Sequence, residues 1–270
     1  MSSGDDELLR HVPEGPVPAS QRGERLLDLL RVMARLRAPG GCPWDAEQTH
    51  GSLAKHLLEE THEVLEAIDS GDPARLRDEL GDLLLQVVFH AEMAREAGEY
   101  DVDDVAQGTV EKLVRRHPHV FGDVEVASPG EVLVNWEKIK ADEKGERGVE
   151  EEIPATLPAL ARASKVQRRA AGWGFEWRTK EAAMAKLREE IEELEQASPD
   201  EAEAELGGVL FAATAVARTL GVDPESALRR TTRRFAERYE RMLHRAEAEG
   251  TDLAAMSDDE LLAYFRTARE

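Results

Sequence analysis

Residues 57–88 read LLEETHEVLEAIDSGDPARLRDELGDLLLQVV, and this stretch decides the fold. On both sides of the break at 71–73, apolar residues recur three and four positions apart, as they do along one face of an α-helix. The Gly-Asp-Pro sequence at the break ends one helix and begins the next. We therefore predict two antiparallel helices, at about 52–68 and 74–97, joined by a tight turn and packed through their apolar stripes.

The same helical spacing continues on both sides of this pair. No segment shows the alternation of apolar and polar residues that is typical of a strand, so we expect an all-α, bundle-like fold. Further helices are predicted at about 24–38, 102–116, 129–144, 158–171, 179–197, 199–220, 224–248 and 258–268.

Two sequence segments of the first half are repeated, in similar form, in the second half. Residues 60–66 resemble residues 190–195, and residues 79–84 resemble residues 205–210. We interpret this likeness as a tandem duplication of one helical-bundle unit. The predicted domains are a flexible N-terminal arm at 1–22, a first helical domain at 23–144, a linker at 145–156 and a second helical domain at 157–270.

The composition limits the partners of the chain. Its formal net charge is −21, so nucleic acid and anionic membrane surfaces, which both require a basic protein surface, are not expected partners. The single cysteine, Cys42, excludes an intramolecular disulfide. We find neither a secretory signal nor an apolar run of membrane-spanning length, and we expect a cytoplasmic protein.

Five acidic residues share helical faces on the two predicted helices. Glu60 lies three positions before Glu63, with Glu59 beside it, and Glu79 lies three positions before Asp82. Packing the two helices together brings these carboxylates close, and their mutual repulsion then requires a cation. Oxygen ligands select hard divalent cations such as Mg²⁺, which is often shared with substrate phosphates. The alternative is an ordinary solvated acidic face.

Several motifs, in order along the chain, resemble those of the MazG family of all-α nucleotide pyrophosphohydrolases. The similarity spans about residues 24–268 and is clearest before residue 145. The matching motifs are Gly41-Cys42-Pro43-Trp44-Asp45-x-x-Gln48-Thr49, Leu58-Glu59-Glu60-Thr61-x-Glu63-Val64, Glu79-Leu80-Gly81-Asp82-Leu83-Leu84, Arg115-Arg116-His117-Pro118-His119-Val120-Phe121 and Trp136-Glu137-x-Ile139-Lys140.

This resemblance implies a reaction and a set of site residues. The reaction is hydrolysis of a nucleoside triphosphate to the monophosphate and pyrophosphate by a Mg²⁺-dependent, helical-bundle homodimer, with Mn²⁺ as a substitute metal. The implied metal ligands are Glu60, Glu63, Glu79 and Asp82. Glu59 is either a further ligand or the base that orients the attacking water.

Basic and aromatic residues near these motifs are candidates for binding the substrate. Each has a structural alternative, such as complementing the C-terminal end of a helix, capping a helix, lying on the surface or packing in a core or dimer contact. The candidates for phosphate contact and base stacking are Lys55, Lys112, Arg115, Arg116, Trp136, Lys140 and Trp44.

The second half departs from the family pattern at one position. It keeps Glu189-Glu190-x-x-Glu193, but Gly208 stands three residues after Glu205, where the pattern requires an aspartate. Glycine has no side-chain oxygen to offer a metal. We therefore predict that the first half has the stronger catalytic site and that the second half is weakened or mainly structural.

Three other functions remain open from the residues. The first is a nucleotide-binding regulator or scaffold without catalysis, because binding and hydrolysis use the same side chains. The second is a di-iron carboxylate bundle, since Glu59 and His62 form one of the two Glu-x-x-His pairs that such a site needs. The third keeps the hydrolysis but acts on a deoxynucleotide or a modified nucleotide.

Overall fold

The structure is a computed structural model that describes residues 23–128, 131–132, 135–136, 139, 143 and 153–268. Within these residues the chain is all-α, with one short 3-10 helix, Leu253–Ala255, and no strand. The α-helices are α1 Glu24–Arg37, α2 Pro43–Glu47, α3 His50–Ser70, α4 Pro73–Ala97, α5 Val102–Arg116, α6 Pro118–Phe121, α7 Ala159–Gly172, α8 Lys180–Gln196, α9 Ala202–Thr219, α10 Pro224–Glu249 and α11 Asp258–Thr267.

The chain divides into two compact units, Met1–Glu143 and Lys144–Glu270. The predicted arm at 1–22, the helix at 129–144 and the linker at 145–156 lie wholly or mostly outside the described residues. The domain bounds given above, and the duplication behind them, stay predictions.

The turn between α3 and α4 is specified by three consecutive residues. Gly71 ends α3 in the left-handed conformation, with φ at 71°, which glycine adopts without steric cost. The Asp72 side chain accepts hydrogen bonds from the first backbone amides of α4, and Pro73 occupies the first helical position. The predicted helix pair is therefore present, and it forms the centre of the first unit.

A loop ahead of α3 is fixed to α1 and α4 by one arginine and one glycine. The Arg37 guanidinium pairs with Glu96 on α4 at 2.8 Å and donates to the backbone carbonyl of Asp45 in α2. A Cβ on Gly41 would overlap the carbonyl oxygen of Leu36, so only glycine fits there. These contacts hold the loop that presents Trp44.

The core of the first unit lies at one end of the helix pair. Five side chains form it, and Leu29, Leu30 and Leu85 pack against them. The core residues are Met33, Leu53, Val88, Phe89 and Met93.

The apolar stripe predicted from the sequence is only partly buried. Val64 and Val88 are buried, but Leu58, Ile68 and Leu80 are 60%, 55% and 47% exposed. Helical spacing identifies a shared face and does not say what covers it, so the prediction that the whole stripe packs between α3 and α4 was wrong.

The second unit also contains a pair of packed long helices, α8 and α9, with α7 against α9 and α10 against α7. Small side chains are buried on this pair, with Ala183 on α8 and Ala212 and Ala215 on α9 almost fully covered. Small side chains allow the α8 and α9 backbones to approach closely.

Among the described helices, no single one is both long enough and apolar enough to span a membrane. Only α9 and α10 taken together meet both criteria, and they are separated by a 104° bend.

Candidate active site

Three of the predicted acids meet between α3 and α4. Glu60, Glu79 and Asp82 each offer a carboxylate oxygen, and these three atoms lie within 4.8 Å of one another. Glu60 and Glu79 are half-buried and Asp82 is exposed, so the cluster opens to solvent on one side. We call these three residues the first acidic cluster. An open group of carboxylates at this spacing has the donors and the access that a hard divalent cation needs.

The electrostatics of the cluster show the expected repulsion. Partial burial, followed by the charges of Asp82, Glu63 and Glu79, raises the pKa of Glu60 above its ordinary value. Glu63 is one of the neighbours that raise this pKa, which places it at the edge of the cluster although it is exposed. A cation would remove the repulsion that these four carboxylates exert on one another.

Arg75, which the sequence reasoning missed, orients part of the cluster. Its guanidinium lies 3.4 Å from Glu79 on its own helix and 3.0 Å from Glu66 on α3. Arg75 thus ties the two helices together beside the cluster and fixes one Glu79 oxygen. The four-residue spacing from Arg75 to Glu79 was the available signal in the sequence.

Glu59 lies apart from the first acidic cluster. Its carboxylate is 63% exposed and lies 3.0 Å from Nδ1 of His56, whose ring in turn meets the Trp44 ring edge-on at a centroid distance of 6.2 Å. Trp44 is 54% exposed. The structure therefore joins the Trp44 loop to Glu59 through His56, a residue that the sequence reasoning did not select.

The arginine pair at the end of α5 is engaged by an acid. Arg115 and Arg116 each donate to one carboxylate oxygen of Glu143 at 2.6 Å. These hydrogen bonds lower the pKa of Glu143, and the one from Arg116 has the larger effect. The Arg116 guanidinium also stacks over Trp136, 5.7 Å from its ring centre. Arg115, Arg116 and Trp136 therefore form one group in which a phosphate would compete with Glu143.

The remaining candidates are less well defined. Lys55 lies exposed on α3 one turn before Glu59, and Lys112 lies exposed on α5 one turn before Arg116. Lys140 lies outside the described residues. The roles assigned to these lysines stay predictions.

A second acidic cluster lies between α8 and α9. Glu190, Glu193 and Glu205 each offer an oxygen within 4.8 Å of the others. Neither cluster of three includes a histidine among the described residues, and His62 is exposed. This arrangement gives no support to the di-iron alternative.

The sequence of the chain is similar to that of a known protein family. Residues 48–121, which include the first acidic cluster, match the model of the MazG nucleotide pyrophosphohydrolase domain. A Thermotoga maritima protein named nucleoside triphosphate pyrophosphohydrolase/pyrophosphatase MazG is 45% identical over 245 residues, 90% of this chain and 94% of that protein.

Two further relatives are similarly named. The Escherichia coli K12 nucleoside triphosphate pyrophosphohydrolase is 44% identical over 238 residues, 84% of this chain and 90% of that protein. The Mycobacterium tuberculosis protein of the same name is 48% identical over 155 residues, 57% of this chain and 47% of that protein. With two relatives aligned over nearly their whole lengths and the family motifs in order on α3 and α4, the chain belongs to the MazG family.

Proposed function

We propose that this chain hydrolyses nucleoside triphosphates to nucleoside monophosphates and pyrophosphate. The observation that supports this most directly is the first acidic cluster, where Glu60, Glu79 and Asp82 converge from two neighbouring helices. Relatives that align with nearly the whole chain bear the name of this activity. The reaction consumes one water and breaks the P–O bridge between the α- and β-phosphates.

We propose Mg²⁺ as the cofactor, replaceable by Mn²⁺, with Glu60, Glu63, Glu79 and Asp82 as its ligands. The donor set fits, because every donor is a carboxylate oxygen, and burial together with the neighbouring carboxylates raises the pKa of Glu60. When bound, such an ion neutralises phosphate charge and lowers the pKa of water. It would also allow a chain with a net charge of −21 to bind a polyanion.

We assign Glu59 as the general base that accepts a proton from the attacking water. Its carboxylate is exposed and outside the first acidic cluster, so it is accessible to accept a proton. The contact with His56 Nδ1 orients one Glu59 oxygen and leaves the other for a water. Trp44, in contact with His56, is then placed to border the nucleoside.

The phosphates require cationic side chains, since displacement at phosphorus depends on charge neutralisation and alignment. We propose Arg115 and Arg116 for this role, with Glu143 holding both guanidinium groups in place until the substrate displaces it. Lys55, Lys112 and Lys140 are proposed as additional phosphate contacts, and Trp136 as a stacking surface for the base.

The products of the reaction test this proposal. We expect incubation with Mg²⁺ and each common ribo- and deoxyribonucleoside triphosphate to yield monophosphate and pyrophosphate in equal amounts, resolved by ³¹P NMR. Diphosphate with orthophosphate would contradict the proposed bond cleavage. Tight nucleotide binding without any product would instead favour the non-catalytic regulator.

We also propose that the chain forms a homodimer. Leu80, Leu84 and Val87 lie on one face of α4 at helical spacing and are 42–47% exposed. A contiguous apolar face of this kind on a folded unit marks a protein interface. We propose that the homodimer acts in the cytoplasm, without nucleic acid or membrane as a partner.

Leu84→Glu is expected to convert the dimer to a monomer, because a charge would then be buried in an apolar interface. Light scattering coupled to gel filtration measures the mass directly. Val105→Glu, an equally exposed apolar position on α5, is the matched control and should keep the dimer mass. A wild-type chain that elutes as a monomer would contradict the proposal.

A further inference from the structure

The second acidic cluster differs from the first acidic cluster at one ligand position. Gly208 stands three residues after Glu205 on α9, as Asp82 stands three residues after Glu79 on α4. The space beside Gly208 that an aspartate side chain would fill is not empty, because a Cβ placed on Gly208 would overlap the carboxylate of Glu190. Glu190 therefore occupies the place that an aspartate side chain would need.

A lysine holds Glu190 in this position. The Lys186 Nζ lies 2.8 Å from Glu190 Oε1 and 2.8 Å from Glu189 Oε1. The Glu190 side chain is only 14% exposed and that of Lys186 29%, so the pair is partly shielded from water. Hydrogen bonds to Glu189 and Glu190 raise the pKa of Lys186 above its ordinary value.

The first unit has no equivalent of this ion pair at the same position. By alignment of the two Glu-Glu-x-x-Glu segments, the counterpart of Lys186 is His56. Its Nδ1 contacts Glu59, one residue before the cluster member Glu60. Glu60 therefore has no paired lysine or arginine among the described residues, and the basic residue at the first acidic cluster, Arg75, contacts Glu79 instead.

We propose that the ammonium group of Lys186 is the resident cation of the second acidic cluster, and that this cluster consequently takes up no divalent metal ion. A divalent ion would have to displace Lys186 from Glu190 and turn Glu190 away from Gly208, and it would still lack a fourth carboxylate. Glu190, Glu193 and Glu205 nevertheless retain the spacing of a metal site. The second acidic cluster thus has the geometry of a metal site, and Lys186 prevents a divalent ion from binding there. The contrast with the first acidic cluster rests on the function proposed above.

Mn²⁺ binding, followed by electron paramagnetic resonance of the free ion, tests this inference without measuring activity. We expect Glu193→Gln to leave wild-type Mn²⁺ binding unchanged and Lys186→Met to add at least one further bound ion per chain. The double variant with Lys186→Met and Glu193→Gln should lose this additional ion. Lys180→Met, which removes a charge at the start of the same helix, should bind as the wild type does.

Two outcomes would overturn the inference. The first is a wild-type chain in which Glu193→Gln removes a bound ion, since the second cluster would then already hold metal. The second is a Lys186→Met variant that remains folded by circular dichroism and gains no ion. A wild-type chain that binds no Mn²⁺ at all would instead refute the metal centre proposed for the first acidic cluster, so the two failures are distinguishable.

Discussion

Replacing Asp82 by Asn is expected to lower the rate of pyrophosphate release by roughly 10²–10³-fold or more, the range found when one group that stabilises developing charge is removed. Asp82 lies in the first acidic cluster with Glu60 and Glu79. Asparagine keeps the size of the side chain but removes the negative charge and one anionic donor. Asp82 is exposed, so the substitution should leave the fold intact.

The matched control is Glu193→Gln, which removes a charge from the second acidic cluster. Because Lys186 is paired with Glu190 of that cluster and Gly208 supplies no ligand, we expect activity within about twofold of the wild type. Pyrophosphate release should be measured for both variants at saturating substrate and Mg²⁺. If Glu193→Gln abolishes activity and Asp82→Asn does not, the catalytic site lies in the other unit.

Removal of divalent metal is expected to abolish the activity completely. The first acidic cluster brings carboxylates of α3 and α4 within 4.8 Å, and without a cation they repel each other and the triphosphate. Treatment with excess EDTA followed by gel filtration should leave no measurable pyrophosphate release. Addition of Mg²⁺ or Mn²⁺ in millimolar excess should restore it.

Two controls separate metal loss from damage to the protein. Far-ultraviolet circular dichroism of the metal-free protein should retain its helical signal, because the caps and core of the first unit do not depend on a cation. Zinc-saturated EDTA, which cannot remove further metal, should leave the activity unchanged. Full turnover by the metal-free protein would contradict the proposed cofactor.

Local features of the fold were predictable because they depend on neighbouring residues. Gly71, Asp72 and Pro73 end one helix and cap the next whatever packs against them, and the structure places the turn there. Gly98 ends α4 in the same left-handed conformation as Gly71. The all-α class follows from repeated spacings of this kind.

Features that depend on distant residues were not predictable in the same way. Helical spacing placed Leu80 in a buried stripe, but burial requires a covering surface, and in this structure Leu80 is 47% exposed. Arg115 and Arg116 were assigned to phosphate from their charge. Their contact with Glu143, 28 and 27 residues away, follows from tertiary folding alone.

The acidic residues of α3 and α4 show most clearly which features the sequence determines and which the tertiary structure determines. Glu59, Glu60 and Glu63 are all glutamates on one helix. The sequence by itself determined that acids of α3 would lie near acids of α4, because both helices carry acids at helical spacing beside a tight turn. Only the tertiary structure decided that Glu60 on α3 lies beside Glu79 and Asp82 on α4. The contact of Glu59 with His56, three residues earlier on the same helix, is local. The reason is that helical spacing fixes the direction of a side chain to within a turn, whereas the distance between carboxylates on two helices depends on how those helices pack.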